Sequence, residues 1–284
     1  MTFWATQILN GVSFGMLLFL LAAGLSLIYG LMRILNLAHG SYYLLGAYVG
    51  LSVAQVTESF ILAALAGTAA VMVLGVLMER FFLRRFPKQQ LPQVLLTFGF
   101  LFIIADGTLF IWGGNPQTLP KPELFSTSIW IGNIVFPSYR LLVIAVGVVV
   151  GLGLWWLQEK TKLGSMIRAG VDDEEMARGC GVNVSFLSTA VFALGAFLAA
   201  LGGIMGGPFV GVYPGADFEV LLFAFVVIII GGLGSLKGAF FGGLLVGLLD
   251  NFGKALFPEL ALFTIFAPMV IILAIKPRGL FGRL

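Results

Sequence analysis

Long apolar runs recur along the whole of this 284-residue chain, and they constrain its fold more than any other feature. They fill residues 8–30, 41–56, 60–78, 92–112, 139–157, 185–206, 220–230, 239–253 and 261–275. An apolar stretch of about 20 residues can cross a bilayer as a helix, which satisfies its own backbone hydrogen bonds in a medium that offers none. The alternation expected of an outer-membrane barrel strand is missing. The fold expected is an all-α integral membrane protein, a polytopic helical bundle of about eight transmembrane segments. Its charge supports this: 10% of the residues are charged, against about 25% in a soluble domain. Residues 1–284 therefore read as a single transmembrane domain with no room for a separate soluble one. The N-terminal MTFWATQILNG has no basic stretch before its apolar run and reads as part of a first span.

Charge is concentrated in residues 159–183, EKTKLGSMIRAGVDDEEMARGCGVN. Lys160, Lys162 and Arg168 make its first part basic, and Asp172, Asp173, Glu174 and Glu175 make its middle acidic. An acidic first turn suits the positive end of a helix dipole. The expectation is a short surface helix over roughly 172–180, with Asp172 as N-cap and Gly179 and Gly181 ending it. Such a loop is either a solvated connector or, given the small residues Ala177, Gly179 and Gly181, a helix shaped for docking on a partner.

Basic residues near span ends set orientation. Arg80, Arg84, Arg85 and Lys88 mark 79–90. The 159–183 loop and the tail (Lys276, Arg278, Arg283) are basic too, so all three are expected in the cytoplasm. Loops 113–138 and 207–219, the second carrying only Asp217 and Glu219, are expected outside. With each early run crossing once, the N-terminus lies outside and the C-terminus in the cytoplasm.

Two broken segments resemble each other. His39-Gly40-Ser41-Tyr42-Tyr43 and Lys237-Gly238-Ala239-Phe240-Phe241 both read base, glycine, small residue, two aromatics, and Asn36 and Ser235 precede them at similar offsets. Paired glycine-interrupted segments in two related halves point to the binding region of a repeat-built transporter; two ordinary surface loops are the plainer reading. Asn36, His39, Gly40, Ser41, Gly234, Ser235 and Gly238 are the candidate path residues. Asp106 lies within a run and is either functional or interfacial; Asp250–Asn251 reads as interfacial. Small residues at four-residue spacing (Gly202/Gly206, Gly243/Gly247, Gly46/Gly50) allow close helix approach, within a bundle or at a dimer-type interface.

Several chemistries find no support. GxxxxGK[ST], HExxH and CxxC are absent, so the chain offers no nucleotide or metal motif. The one cysteine, Cys180, rules out an internal disulfide. A net charge of +3 arises from loop residues and does not suggest nucleic acid. No catalytic residue, cofactor or metal ligand is expected.

Three stretches carry a specific resemblance: GLSLIYGLMRILNLAHGSYYLLGAY (24–48), RAGVDDEEMARGCGVN (168–183) and IIGGLGSLKGAFFGGLLVG (229–247). With the terminal KPRGLFG, they resemble the signature regions of LivH-type permeases of branched-chain (hydrophobic) amino acid ABC importers. The resemblance implies a permease subunit in the inner membrane, forming half of a translocation path worked by ATP-driven alternating access. It implies a LivM-type second permease subunit, two cytoplasmic ATPase subunits and a periplasmic binding protein as partners. Relatives that move urea, short amides or aromatic acids share these regions, and a stand-alone secondary transporter or channel is the rival from another class. The resemblance further implies an ATPase-coupling role for Arg168, Asp173, Glu175, Met176, Ala177, Arg178 and Gly181. Glu174–Glu175 departs from the apolar–basic pair that relatives often carry there.

Overall fold

The computed structural model of the protein describes residues 2–87, 89–131 and 134–282. Lys88 and Arg283, two of the basic residues used for orientation, lie outside the described residues. Eleven α-helices carry the chain through these residues. They are α1 (Thr2–Met32), α2 (His39–Thr57), α3 (Phe60–Phe81), α4 (Gln90–Trp112), α5 (Ser138–Lys160), α6 (Lys162–Asp172), α7 (Glu174–Gly179), α8 (Val184–Val210), α9 (Ala216–Gly231), α10 (Leu236–Leu256) and α11 (Ala261–Ile275). Between α4 and α5 a two-stranded antiparallel hairpin pairs β1 (Ser128–Ile131) with β2 (Ile134–Pro137).

Each apolar run of the sequence forms a helix. Among the described residues, seven helical stretches are long and apolar enough to cross a membrane, among them α1, α4, α5, α8 and α10. The two apolar helices outside that set, α2 with 19 residues and α9 with 16, are the ones bordered by broken backbone. The protein is thus a multi-pass membrane protein.

The core forms around α1, which is buried continuously from Met16 to Ile28. Apolar burial drives little association inside a lipid phase, so close backbone packing has to hold such a core. It is visible between α1 and α10, which run antiparallel. A Cβ on Gly15 would stand 2.7 Å from the Gly243 carbonyl, and one on Gly247 would stand 2.4 Å from the Gly11 carbonyl. Gly46 meets Ala200 of α8 in the same way. The four-residue glycine spacing is used within the chain at these positions, in place of a dimer interface.

Basic residues gather at one end. Gly30 of α1, the 231–236 turn and the tail meet there: Leu280 N donates to Ile230 O at 2.8 Å and Phe281 N to Gly231 O at 2.9 Å. Arg84 of the 79–90 connection reaches Ser185 O at 2.6 Å, tying that loop to the start of α8. At the other end Asn10 near the chain's start is bonded by Arg140 at the start of α5. Asn10 and Phe281 therefore lie at opposite ends of the bundle.

Candidate functional site

Two helices begin at the middle of the bundle, and a buried polar cluster lies where they meet. Residues 33–38 leave the end of α1 in non-helical form and turn back inward, so that α2 starts at His39. Asn36 Oδ1 accepts from the Ala38 N–H at 3.1 Å, and Thr97 Oγ1 of α4 accepts from the Leu37 N–H at 3.1 Å. His39 Nε2 lies 2.9 Å from the Leu21 carbonyl of α1. Ser41 Oγ is 3.2 Å from the carbonyl of Leu101, the midpoint of α4. From the other direction, α8 ends at Val210 and residues 211–215 carry the chain inward to α9. Gly211 and Gly215 have φ of +91° and +95°, a left-handed backbone that only glycine adopts without strain.

The first turn of α9 then presents Asp217, 2% exposed, whose Oδ2 accepts from Ser41 Oγ at 3.1 Å. A Cβ on Gly40 would fall 2.1 Å from the Asp217 carbonyl oxygen, so this glycine is what lets α2 and α9 touch. Asp217 was expected on an outer loop; the structure corrects this to the interior. The stretch GPFVGVYPGADFE is not one exterior loop, because residues up to 210 prolong α8 and the glycine turn dips inward before Ala216. Its outer part does meet the 113–138 loop, since Gln117 and Val212 exchange backbone hydrogen bonds at 2.8 Å.

Four of the predicted path residues, Asn36, His39, Gly40 and Ser41, are brought together here, and all four are fully enclosed. His39 Nδ1 has no hydrogen-bond partner among the described residues, and Asn36 Nδ2 has only the Tyr42 side chain beside it. Tyr48 Oη on the same helix is likewise unpaired. A buried donor or acceptor left so costs roughly 1–3 kcal/mol. The two at the helix break leave a polar core that this packing does not satisfy, while Tyr48 lies further along α2, stacked on Trp112.

Gly234, Ser235 and Gly238 are elsewhere. Ser235 caps α10, its Oγ accepting from Gly238 N at 3.1 Å, and Gly234 has φ +77° with its backbone against Gly30 of α1. A Cβ on Gly238 would stand 2.2 Å from the Gly231 carbonyl. Leu21, beside His39, and Gly30, beside Gly234, are nine residues apart on α1, or about 13 Å at helical rise. The two matching pentapeptides thus sit at different depths: His39 is buried and Lys237 is exposed at the basic end. Asp106 is exposed on α4, and Asp250 is buried and paired with Lys254 at 2.9 Å.

The acidic segment forms two helices instead of one. α6 runs through Asp172, and Asp173 caps α7, its Oδ1 accepting from the N–H groups of Glu175 and Met176 at 3.0 Å each. The expected cap, Asp172, is off by one residue, because Asp172 is still needed as the last residue of α6. Gly181, φ +85°, follows the end of α7 as expected. Among the residues expected at a docking surface, Asp173, Glu175, Met176, Arg178 and Gly181 are exposed, at 66% for Met176. Ala177 is 4% exposed and faces the body of the protein, so it seats the helix. Arg168 bonds the Gln158 carbonyl at the end of α5 and joins α6 to that helix.

A further buried cluster surrounds Glu79. Glu79, 1% exposed, pairs with Arg84 Nε at 2.7 Å and accepts from Thr189 Oγ1 of α8 at 2.8 Å. It clamps the 79–90 connection beside α7. An acid at the end of an apolar run followed by arginine five positions later was the only signal for it.

Residues 7–274 match the family described as "Branched-chain amino acid transport system / permease component". The chain belongs to this permease family. Among its relatives is the high-affinity branched-chain amino acid transport system permease protein BraD of Pseudomonas aeruginosa, 29% identical over 98% of this chain and 95% of the relative. LivH of Escherichia coli, named in the same words, is 26% identical over 99% and 96%. The ribose import permease protein RbsC of Escherichia coli is a more distant relative, 28% identical over 82% of this chain and 73% of its own length. Among solved structures, PsaBC from Streptococcus pneumoniae in complex with Fab shares the fold, with a TM-score of 0.52, 15% identity and coverage of 95% of this chain and 91% of that one. The helix breaks at 33–38 and 211–215 therefore lie inside a permease fold. Irregular backbone at membrane depth is tolerated only where it is buried in protein or lines a water-filled path.

Proposed function

We propose that this permease-family chain forms half of the membrane path of a binding-protein-dependent ABC importer for branched-chain amino acids, with the constriction of that path at the junction of α2 and α9. The observation that carries the reading is the enclosed polar cluster Asn36–His39–Ser41–Asp217, with its unsatisfied atoms, where two helices start at the depth of the α4 midpoint. Such atoms find partners when water or a zwitterionic substrate enters, so the break suits a gate that alternates between closed and hydrated states. The substrate class rests on the names of the relatives.

The basic end is assigned to the cytoplasm. Arg33, Arg80, Arg84, Arg85, Lys160, Lys162, Lys237, Lys276 and Arg278 lie there, while Lys121, Arg140 and Lys254 are the basic residues at the other end among those described. The C-terminus is then cytoplasmic and the N-terminus outside. On that side α7 displays Met176 and Arg178 to an ATPase partner. The 231–238 turn, packed on Gly30 of α1 and on the tail, passes the movement of that end to α10. A second, LivM-type permease subunit and an external binding protein complete the assembly, and ATP is hydrolysed by the partners.

Uptake of radiolabelled leucine by cells that carry this chain with its partner genes tests the reading. ATP-dependent, binding-protein-dependent uptake that is lost on deleting this chain is expected. Uptake driven by an ion gradient with the purified chain alone would falsify it.

A further inference from the structure

We propose that a lateral crevice between α1, α5 and α10 at the basic end is a binding site for an anionic phospholipid, the phosphate lying at Arg168 and Lys237 and an acyl chain along Val148, Leu152 and Phe240. The crevice has a volume of about 510 Å³, in the range of small-ligand sites. Its wall is apolar, with Val148 and Leu152 of α5 and Phe240 of α10 at the surface and the buried Phe19 and Leu27 of α1 behind them. Its mouth is polar, with Arg168, Lys237, Gln158, Ser235 and Glu159.

Charge selects the headgroup. Arg168 shares Glu159 at 4.0 Å, while Lys237 has no carboxylate within ion-pair distance among the described residues. One acid thus faces two cations, and the mouth keeps a positive charge. Basic pockets between membrane helices at the cytoplasmic face suit anionic lipid headgroups. The level is set independently by Trp155 and Trp156, 46% and 59% exposed near the end of α5, since tryptophan favours the membrane–water boundary. One turn inward from Gly30, the Ser26 hydroxyl lines the crevice without a partner among the described residues. The lining includes none of Asn36, His39, Ser41 or Asp217, so the crevice is separate from the proposed gate. The proposal stands whatever the transported substrate is.

Native mass spectrometry of the full chain, extracted with its assembled partners from membranes of defined lipid content, tests this. The unmodified chain should retain phosphatidylglycerol and release phosphatidylcholine. Lys237→Gln should lower that retention about fivefold, the effect of one interfacial cation. Gly151→Leu should abolish it by filling the crevice, because a Cβ there already stands 3.3 Å from the Phe19 ring. Equal retention of both lipids, retention unchanged in both variants, or no lipid at all because a partner chain covers the crevice would each overturn the proposal.

Discussion

Ser41 and Asp217 stand 176 positions apart in the chain, yet the serine hydroxyl donates to the aspartate carboxylate at 3.1 Å beside the midpoint of α4. The contact fastens the start of α2 to the start of α9. Ser41→Ala removes the donor and leaves a buried carboxylate with fewer partners, which costs roughly 1–3 kcal/mol. A lower melting temperature in detergent is expected, with uptake reduced. Asp217→Asn, which still accepts from Ser41, should keep most of the stability and lose more of the transport if the gate needs the charge. Unchanged stability in Ser41→Ala would remove the fastening role.

Gly40 and Gly99 give a matched pair of alanine substitutions. At Gly40 the added methyl would lie 2.1 Å from the Asp217 carbonyl, a backbone atom that cannot swing aside. At Gly99 nothing lies within 4 Å, and alanine is the better helix former. Gly40→Ala should abolish uptake or cut the amount of folded protein severely; Gly99→Ala should behave as the unmodified chain. Normal uptake by both variants would show that α2 and α9 need not touch.

The spans were legible because a membrane helix is announced by its own local composition: every apolar run became a helix, and seven helical stretches among the described residues are long and apolar enough to cross. The gate was half legible. Asn36, His39, Gly40 and Ser41 stood out as polar and small residues interrupting apolar sequence. Asp217 did not, because glycines and a proline ahead of it imitate an exterior loop, and its partner lies in the first quarter of the chain. Local pattern also could not choose between Asp172 and Asp173 as the cap, since both are good N-cap residues and only the length of α6 decides. Glu79 was hidden among arginines: the charge of that connection was plain, but not that one acid turns inward to Thr189.

The glycine turn gives a third test. Gly238 lies against the Gly231 carbonyl, and Gly234 combines φ +77° with a backbone contact to Gly30. Valine fits neither site. Gly238→Val and Gly234→Val should each leave the chain inserted in the membrane and abolish leucine uptake. The turn has no part in movement if both variants transport normally.

Cys180, exposed just beyond α7, reports both topology and docking. If the basic end is cytoplasmic, a membrane-impermeant maleimide should miss it in intact cells and label it in inside-out vesicles. Labelling from outside would overturn the orientation. The neighbouring Met176 is the large apolar residue that α7 exposes, and apolar anchors dominate the energetics of interfaces. Adding the ATPase subunits should therefore slow labelling of Cys180, and Met176→Asp should restore it by placing a charge in the contact. Ala177 is not the residue to change for this purpose, because it is buried against the protein's own body and a charge there would unseat the helix. Labelling from inside that ignores the ATPases would leave the orientation standing and remove α7 from the docking surface.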